Sequence, residues 1–556
     1  MNSSLFNPEV DDLLTLLEEG ARASKRFVKR FIEPMHNTLR RAQNRRHQIV
    51  FGRRGSGKSS LLYKTAHELT TKGYPVAYVD LEPFKGHQYP DVLISVLLAT
   101  LIKLNSWLGS RPPQKGRRIW WTAGLIRRKT GKQLDKEKLV ALLSDAVDDL
   151  MNQLHLADYS RLVSTTERRA STTTQEEAHA ELGSSIPGLH GEVEASIAEG
   201  QTQSSRSATT EESKRSKADY LHRKILDYQQ IFATISELTD SDSYLFLDDL
   251  YHIIRADQAR VLDYFHRIAK GQNLWLKIGT IKHRSTWYVP FPQPIGLKTS
   301  DDADEINLDL TLEKFSTTQK FLSSILDGYI EEAKASPRDT LVSPGGFERL
   351  VIASGSVPRD FLALFRKAIG EARERLTKDP GSSHGSKIGI EDVNMAAGEY
   401  GDSKKEEFQK DTFEDETQLP EALEKIRRFC LQRNRSNVLL MEQDASVADF
   451  DRVQELIDLR LVHHVKSRVT VSDRPGKAYR ALLLDFSQYT GARRQYDIDM
   501  IEFWKGDRET LRKARLIYDP RMSLSELQRE IDELRPKSPT ANSNERGEGM
   551  LPFQES

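Results

Sequence analysis

The alternation of apolar and polar positions opens a βαβ series near residue 48. Gln48-Ile49-Val50-Phe51 is a short apolar run suited to a buried strand, and Ser59 to Thr71 carries apolar residues at helical spacing. Pro75 to Leu81 reads as a second buried strand and Asp91 to Leu108 as an amphipathic helix. Strands joined by helices need crossover connections, which predicts a parallel sheet with helices on its faces. After an interruption the pattern resumes with a helix from Ala218 to Leu238, the strand Tyr244-Leu245-Phe246-Leu247, and a strand from Leu274 to Gly279 that ends in Thr280. The strands then stop, and Thr311 to Leu326, Gly345 to Ala353, Arg359 to Leu376 and Ile390 to Glu399 form a run of helices.

The pattern changes character twice. From Ser160 to Lys217 there are nineteen Ser or Thr, seven aliphatic residues and no aromatics, too little apolar surface to fold unaided. Val193, Ala195 and Ile197 alternate, which suits a projecting hairpin with Pro187-Gly188 as a nearby turn. In either form the stretch reads as part of an insertion over 108–218, a mobile or partner-dependent arm. Gly401 to Glu416 is polar and charge-rich, and 401–417 reads as a linker. Beyond it come helices at Glu421 to Gln432 and Val447 to Leu459. Two strand-like segments follow, Leu461 to Val471 and Tyr479 to Phe486, joined by Ser472-Asp473-Arg474-Pro475-Gly476-Lys477. Helices followed by a hairpin look like a winged helix over 418–490. A helical segment over 491–534 and a disordered tail over 535–556, rich in Pro, Ser, Asn and Gly, complete the reading.

At 556 residues the chain exceeds one core, and about 150 residues per domain predicts three or four units. Lys plus Arg and Asp plus Glu balance at 82 each, which argues against a globally basic nucleic-acid coat and confines any such contact to local segments. Arg22 to Arg54 holds eleven Lys or Arg against Glu33 alone. Ser106 to Gln133 holds eight, no acid, and the pair Trp120-Trp121, which fits either base stacking or anchoring of the loop to its own domain. The single Cys430 excludes an intrachain disulfide and a multi-cysteine zinc site and suits a reducing compartment. Val92 to Ile102, broken only by Ser95 and Thr100, is about half the length that spans a bilayer, and the N-terminus shows no signal-peptide core. The expectation is a soluble, cytoplasmic protein with no membrane partner.

The sharpest chemistry lies between the first strand and the first helix. Gly52-Arg53-Arg54-Gly55-Ser56-Gly57-Lys58-Ser59 is a complete G-x-x-x-x-G-K-[ST] phosphate-binding loop in strand–loop–helix context. Its glycines let successive N–H groups turn toward phosphate oxygens, and the helix presents its positive end to the same anion. Lys58 adds a cation and Ser59 a hydroxyl for Mg2+, with Ser60 closing the cradle. The expected cofactors are ATP and Mg2+. The strand Tyr244 to Leu247 delivers Asp248-Asp249 at its C-terminal end, where a parallel sheet brings acids beside such a loop. Asp248 is the expected metal ligand, and Asp249 the base that orients the attacking water. Thr280, at the end of the next strand, is placed to report on the γ-phosphate or to hold the water. Gly355-Ser356-Val357-Pro358-Arg359 opens a helix with an Arg in its first turn, against the helix dipole, so Arg359 is a candidate to reach phosphate from the helical region.

Together these residues resemble an AAA+ ATPase, and within that class the origin-recognition and cell-division-control initiator ATPases and their bacterial relatives, over roughly 25–490 without the insertion. The resemblance implies that Gly52 to Ser59 is Walker A, Leu245 to Asp249 Walker B, Thr280 sensor 1, and Gly355 to Arg359 sensor 2. It implies further that Phe31-Ile32-Glu33-Pro34 resembles the stretch that packs on adenine, through Phe31, Ile32 and Pro34. The implied fold is an α/β P-loop AAA+ sheet over 25–310, preceded by a helical segment over 1–24. A helical lid over 311–400 and a winged-helix-like α+β domain follow. Two departures stand out. Asp249 occupies a position where the family usually has Glu, which implies slow hydrolysis, and a trans-acting arginine finger has only Arg284 as a candidate by position.

The leading expectation is an ATP-driven switch that assembles on DNA or on a partner protein, as a homo-oligomer or with an effector. The alternative is a nucleotide-gated scaffold of a bacterial anti-phage system that does not itself act on DNA. The helix Val447 to Leu459 is a poor surface for a polyanion, with Asp449, Asp451, Glu455 and Asp458 against Arg452. Arg474, Lys477, Lys466, Arg468 and Arg480 are better placed for phosphate contacts. No pattern for a nuclease or protease site is present.

Overall fold

The computed structural model describes residues 3–20, 30–110, 136–154, 191–379, 385–411, 418–443, 447–491, 498–506 and 509–534. The chain divides into two compact units, one of Met1–Ala397 with Ile457–Arg460, the other of Gly398–Leu456 with Leu461–Ser556.

The first unit is built on a parallel five-stranded sheet of β1 (His47–Phe51), β2 (Val76–Asp80), β3 (Ser243–Asp248), β4 (Leu274–Thr280) and β7 (Ala303–Asn307), in the order β2-β3-β4-β1-β7. A small antiparallel pair, β5 (Tyr288–Val289) and β6 (Ile295–Gly296), lies apart from it. Successive side chains of a strand point to opposite faces, and here both faces are covered. Ile49, Phe51, Leu245 and Leu247 face one cluster, while Val50, Tyr244 and Phe246 face the other. The second face takes α2 (Thr38–Ala42) and α3 (Lys58–Thr71) through Leu61, Leu62, Ala66 and Leu69. The first face takes α4 (Asp91–Ser110), α5 (136–154), α6 (Gly191–Thr239) and α7 (Arg255–Ala269).

Helix α4 is long and apolar enough to cross a membrane, with mean hydropathy 1.7 over Asp91–Gly109. Its apolar residues Val92, Leu93, Val96, Leu97, Leu101 and Leu104 are buried in the core, which is what a central helix of a layered α/β unit requires.

The insertion differs from the sequence reading. Val193, Ala195 and Ile197 belong to the continuous helix α6, not to a hairpin. Ala, Glu, Gln, Lys and Ser dominate this stretch, which suits a helix better than a ladder of β-branched residues. Helix α5, inside the span read as insertion, contributes Leu139, Leu143 and Leu150 to the core at helical spacing. Trp120-Trp121, the Pro187-Gly188 turn and residues 155–190 lie outside the described residues.

A helical layer follows the sheet: α8 (Phe315–Ala333), the short α9 (Arg338–Leu341), α10 (Pro344–Ala353) and α11 (Pro358–Lys378). The N-terminal α1 (Pro8–Glu19) joins it. Val10, Leu13 and Leu17 are buried, and Arg373 of α11 donates to the Leu5 carbonyl and pairs with Asp11, both at 2.8 Å. Ser343 caps α10, its hydroxyl accepting from Gly346 N–H at 3.1 Å.

Helix α12 runs unbroken over Ile390–Asp411, so the first part of the expected linker is helical, and 412–417 lie outside the described residues. In the second unit, α13 (Gln418–Arg428) ends in a π-turn at Phe429–Arg433. Strand β8 (Val438–Glu442), helix α14 (Val447–Asp458) and the hairpin β9 (Val462–Val469) and β10 (Tyr479–Leu484) follow, a helix–strand–helix–hairpin order like that of a winged helix. Strand β11 (Ile517–Tyr518) adds a parallel edge to β8, and α15 (Leu524–Leu534) closes the described chain. Within this unit the buried Asp485 accepts from Lys404 and pairs with His463, both at 2.7 Å. Burial alone would raise the Asp485 carboxyl, but Lys404 and His463 hold it well below the usual range.

Candidate nucleotide site

The C-terminal edge of the parallel sheet gathers the motif residues. Strand β1 runs into the loop 52–57, and α3 begins at Lys58 with no side chain capping its N-terminus. The first N–H groups of a helix have no partners within it, so this end is an anion site waiting for acceptors. Gly57 sits at φ 98°, the left-handed region, as the turn into the helix demands. Gly55 at φ 84° is constrained twice: a Cβ there would also lie 2.7 Å from Cβ of Arg359.

Lys58 is buried, with Nζ donating to the carbonyls of Gly52 at 3.0 Å and Arg53 at 3.3 Å. Burial lowers its pKa, while Asp249, Asp248 and Asp309 favour the charge. The ammonium is thus held folded over its own loop. Among the described residues the buried Ser56 hydroxyl has no partner. An unpaired buried hydroxyl, an uncapped helix end and a buried ammonium are the chemistry a polyphosphate would satisfy.

Asp248 ends β3 and is 3% exposed. Its Oδ1 accepts from the backbone of Asp249 at 3.0 Å and its Oδ2 from the Tyr78 hydroxyl at 2.5 Å. Burial, then the neighbouring Asp249, pushes its carboxyl up to about 7, against hydrogen bonds from Tyr78 and Ser59. The Ser59 hydroxyl thus favours the charged Asp248, and this hydroxyl–carboxylate pair fits Mg2+, a hard cation that takes oxygen ligands. A bound Mg2+ would supply positive charge at the phosphates. Gly279 of β4 leaves room for the carboxylate, since a Cβ there would lie 2.4 Å from Asp248 Oδ1 and 2.8 Å from Leu62 Cδ1.

Asp249 leaves the strand at φ 57°, ψ 48°, which Asp tolerates better than most residues. Burial raises its carboxyl, with Lys58 opposing and Asp80 adding to the rise. Asp80 is register-paired with Asp248, so the acids crowd one sheet edge. Tyr251 lies behind them, its ring centre 5.9 Å from Lys58 Nζ and 5.8 Å from the Arg284 guanidinium.

Thr280 is opposite Phe51 in the ladder, beside the start of the loop, and fully buried with its hydroxyl 2.5 Å from that of Ser285. Arg359 opens α11 and its N–H donates to the Gly55 carbonyl at 3.3 Å, so the helical layer touches the loop directly. Phe31 packs with Leu39 on the α3 face of the sheet; Ile32 is half-buried and Pro34 buried. Ser60 is half-buried on α3.

The Arg53 side chain has partners of its own outside the loop. The guanidinium is buried, reaching Asp309 at 3.4 Å, the Leu310 carbonyl at 2.9 Å and the Gly355 carbonyl at 3.1 Å. Its backbone N–H donates to Asp309 at 2.9 Å. Arg53 therefore ties the loop to the entry of the helical layer and to its α10–α11 turn. Arg54, half-buried, acts electrostatically on Tyr251 and His252.

Two expectations about nucleic-acid surfaces change as well. Arg41, Arg45 and Arg46 meet the first unit's own acceptors: the Glu305 carbonyl at 2.9 Å, Asp242 at 2.8 Å and Asp304 at 3.2 Å. Asp458 is not on an open helix face. It belongs to the first unit, is buried, and accepts from the His283 N–H at 3.3 Å; burial, then Asp309, pushes it up to about 7. In the hairpin, Lys477 pairs with Glu442 at 2.8 Å and Arg480 lies 4.1 Å from the Phe450 ring centre.

Tyr78, Asp309 and Gly279 were not singled out by the sequence. Tyr78 had one signal, a strand position two residues before Asp80 at the sheet edge; Asp309 and Gly279 had none that a linear pattern shows.

The strand order, the loop after β1, the acids after β3 and the helical layer touching the loop define an α/β P-loop nucleotide-binding fold with a helical lid. Among solved structures the chain is similar to the Walker-type ATPase of Pyrococcus abyssi, with 10% identity, a TM-score of 0.36, and coverage of 82% of this chain and 93% of that one. It is similar also to the Aeropyrum pernix Orc1 protein in complex with DNA, with 14% identity, a TM-score of 0.32, and coverage of 84% and 95%. No family model and no curated protein matches the chain.

Proposed function

We propose that the protein is an AAA+-type switch that binds ATP with Mg2+, hydrolyses it slowly, and passes the nucleotide state to its helical lid. The observation that carries this reading is the contact of Gly55 with Arg359, which puts the lid's first helical turn against the phosphate loop beside Lys58, Ser59 and Asp248. In this reading Lys58 neutralises the β/γ phosphates, and Ser59 and Asp248 hold the metal. Asp249 orients water, Thr280 reports on the γ-phosphate through the bond it shares with Ser285, and Arg359 couples that state to α11. Asp249 is one methylene shorter than the usual Glu, which supports a slow rate. Lys58→Ala abolishes ATP binding, measured by equilibrium titration; retained binding would remove the site assignment.

The output has two readings. Assembly on DNA draws support from the exposed Arg468 and the hairpin cations. A nucleotide-gated scaffold that recruits a partner protein or effector draws it from the internal pairing of Arg41, Arg45 and Arg46, and we favour this second reading. Steady-state hydrolysis with and without duplex DNA at low and moderate salt, with Asp249→Ala as control, separates them. The scaffold predicts a DNA-indifferent rate; DNA stimulation abolished by salt would establish the other.

A further inference from the structure

The Tyr78 hydroxyl donates directly to the carboxylate assigned to the metal, and neither the loop motif nor the Walker B pattern includes it. It stands on β2, one strand outward from Asp248, opposite Phe246 in the ladder. Its ring stacks with two others. Tyr63 of α3 stacks on it at 4.2 Å between centroids with an interplanar angle of 13°, and Phe246 of β3 lies at 5.9 Å and 17°. Tyr63 is one helical turn beyond Ser59, so the stack joins the helix that carries the metal hydroxyl to the strand that carries the metal carboxylate.

The consequence is geometric. A carboxylate on a β-strand end rotates about two torsions, and burial alone does not choose its rotamer. Here Oδ1 is fixed by the Asp249 N–H at 3.0 Å and Oδ2 by the Tyr78 hydroxyl at 2.5 Å. Gly279 leaves the space on the other side that the carboxylate fills. The stacking of Tyr63 and Phe246 restrains the phenol ring.

We propose that Tyr78 is a positioning residue for the Mg2+–nucleotide complex, holding Asp248 in the rotamer that meets Ser59. This rests on the nucleotide-site reading above. Tyr78 does not touch the nucleotide and takes no proton from it. It acts only through Asp248, so its loss alters metal dependence and leaves metal-free nucleotide binding alone.

The test is a titration of Mg2+ against full-length protein and a fluorescent ATP analogue, alongside nucleotide binding in EDTA and a thermal melt. Tyr78→Phe keeps the stack and removes the hydroxyl; the Mg2+ concentration for half-maximal binding is expected to rise about tenfold, with EDTA binding unchanged. Tyr74→Phe, in the same apolar cluster but beyond the opposite end of the β2–β3 ladder from Asp248, is expected to match wild type. A Tyr78→Phe protein with a lowered melting temperature but wild-type Mg2+ dependence would overturn the inference and leave Tyr78 a packing residue. Wild-type protein that binds no nucleotide would overturn the site reading instead, which the same titration shows before any variant is compared.

Discussion

Replacing Gly279 by Ala is the most direct perturbation of the acidic edge. The residue lies in β4 with ordinary strand geometry, so the backbone accepts the change and the cost is steric. The new methyl would lie 2.4 Å from Asp248 Oδ1 and 2.8 Å from Leu62 Cδ1, whereas ordinary contact begins at 3.4 Å. The carboxylate must therefore retreat by about 1 Å, and neither Tyr78 nor the Asp249 N–H can follow without loosening its own bond. Overpacking of this kind costs about 1–3 kcal/mol, read as a lowered midpoint in urea unfolding. On the proposed role of Asp248 as metal ligand, a displacement of about 1 Å is expected to lower turnover by about 100-fold. Nucleotide binding in EDTA, which does not need Asp248, is expected to persist. The assays are urea unfolding, steady-state MgATP hydrolysis, and binding with and without Mg2+. Wild-type stability together with wild-type turnover would refute the packing argument and, with it, the placement of Asp248 beside the metal.

Two other predictions follow from groups outside the acidic edge. His47 at the start of β1 is buried and its Nδ1 accepts from the Leu276 N–H at 3.1 Å. Burial first, then His266 and Lys277, lowers its pKa from 6.5 to about 4. Because the folded pKa is depressed, the unfolded chain takes up the proton first: stability is full above pH 6.5 and falls as pH drops toward 4. About 1.4 kcal/mol per pH unit gives a loss of about 3 kcal/mol across that window. His47→Gln is expected to flatten this part of the urea-midpoint profile, and an unchanged slope would mean that another group carries it. Arg53→Ala takes the guanidinium from two buried carbonyls and from Asp309, which keeps the residue 53 N–H, a loss of about 1–3 kcal/mol expected in the melting of the first unit. If Arg53→Ala melts like wild type but loses nucleotide affinity, the side chain serves the ligand after all.

The legible part of the chain was its local chemistry. The phosphate loop, the strand before it, the helix after it and the acid pair at the end of β3 were readable because each is set by residues a few positions apart. The helical layer was readable for the same reason, as apolar spacing along single helices. The insertion was misread at Val193 to Ile197, where composition was used alone: scattered small polar residues say little about whether a segment is helix or hairpin, and α6 makes it helix from Gly191 on. β8 and β11 were missed because Val438-Leu439-Leu440-Met441 is too short to distinguish from a helix turn without its partners, and a two-residue strand exists only through its neighbour.

By itself the sequence determined that a strand, a glycine-rich turn and a helix would present Lys58 and Ser59 to an anion, because backbone freedom and residue order fix that unit locally. Only the tertiary structure decided what surrounds it. The parallel order of the strands brings Asp248 to Ser59 across some 190 residues of chain. The same order sets Tyr78 on the carboxylate, turns Arg53 into a tie to the lid, and leaves Gly279 as the space Asp248 needs. These are consequences of which strands are neighbours, a choice made by burial of both sheet faces at once, and no pattern along the chain encodes it.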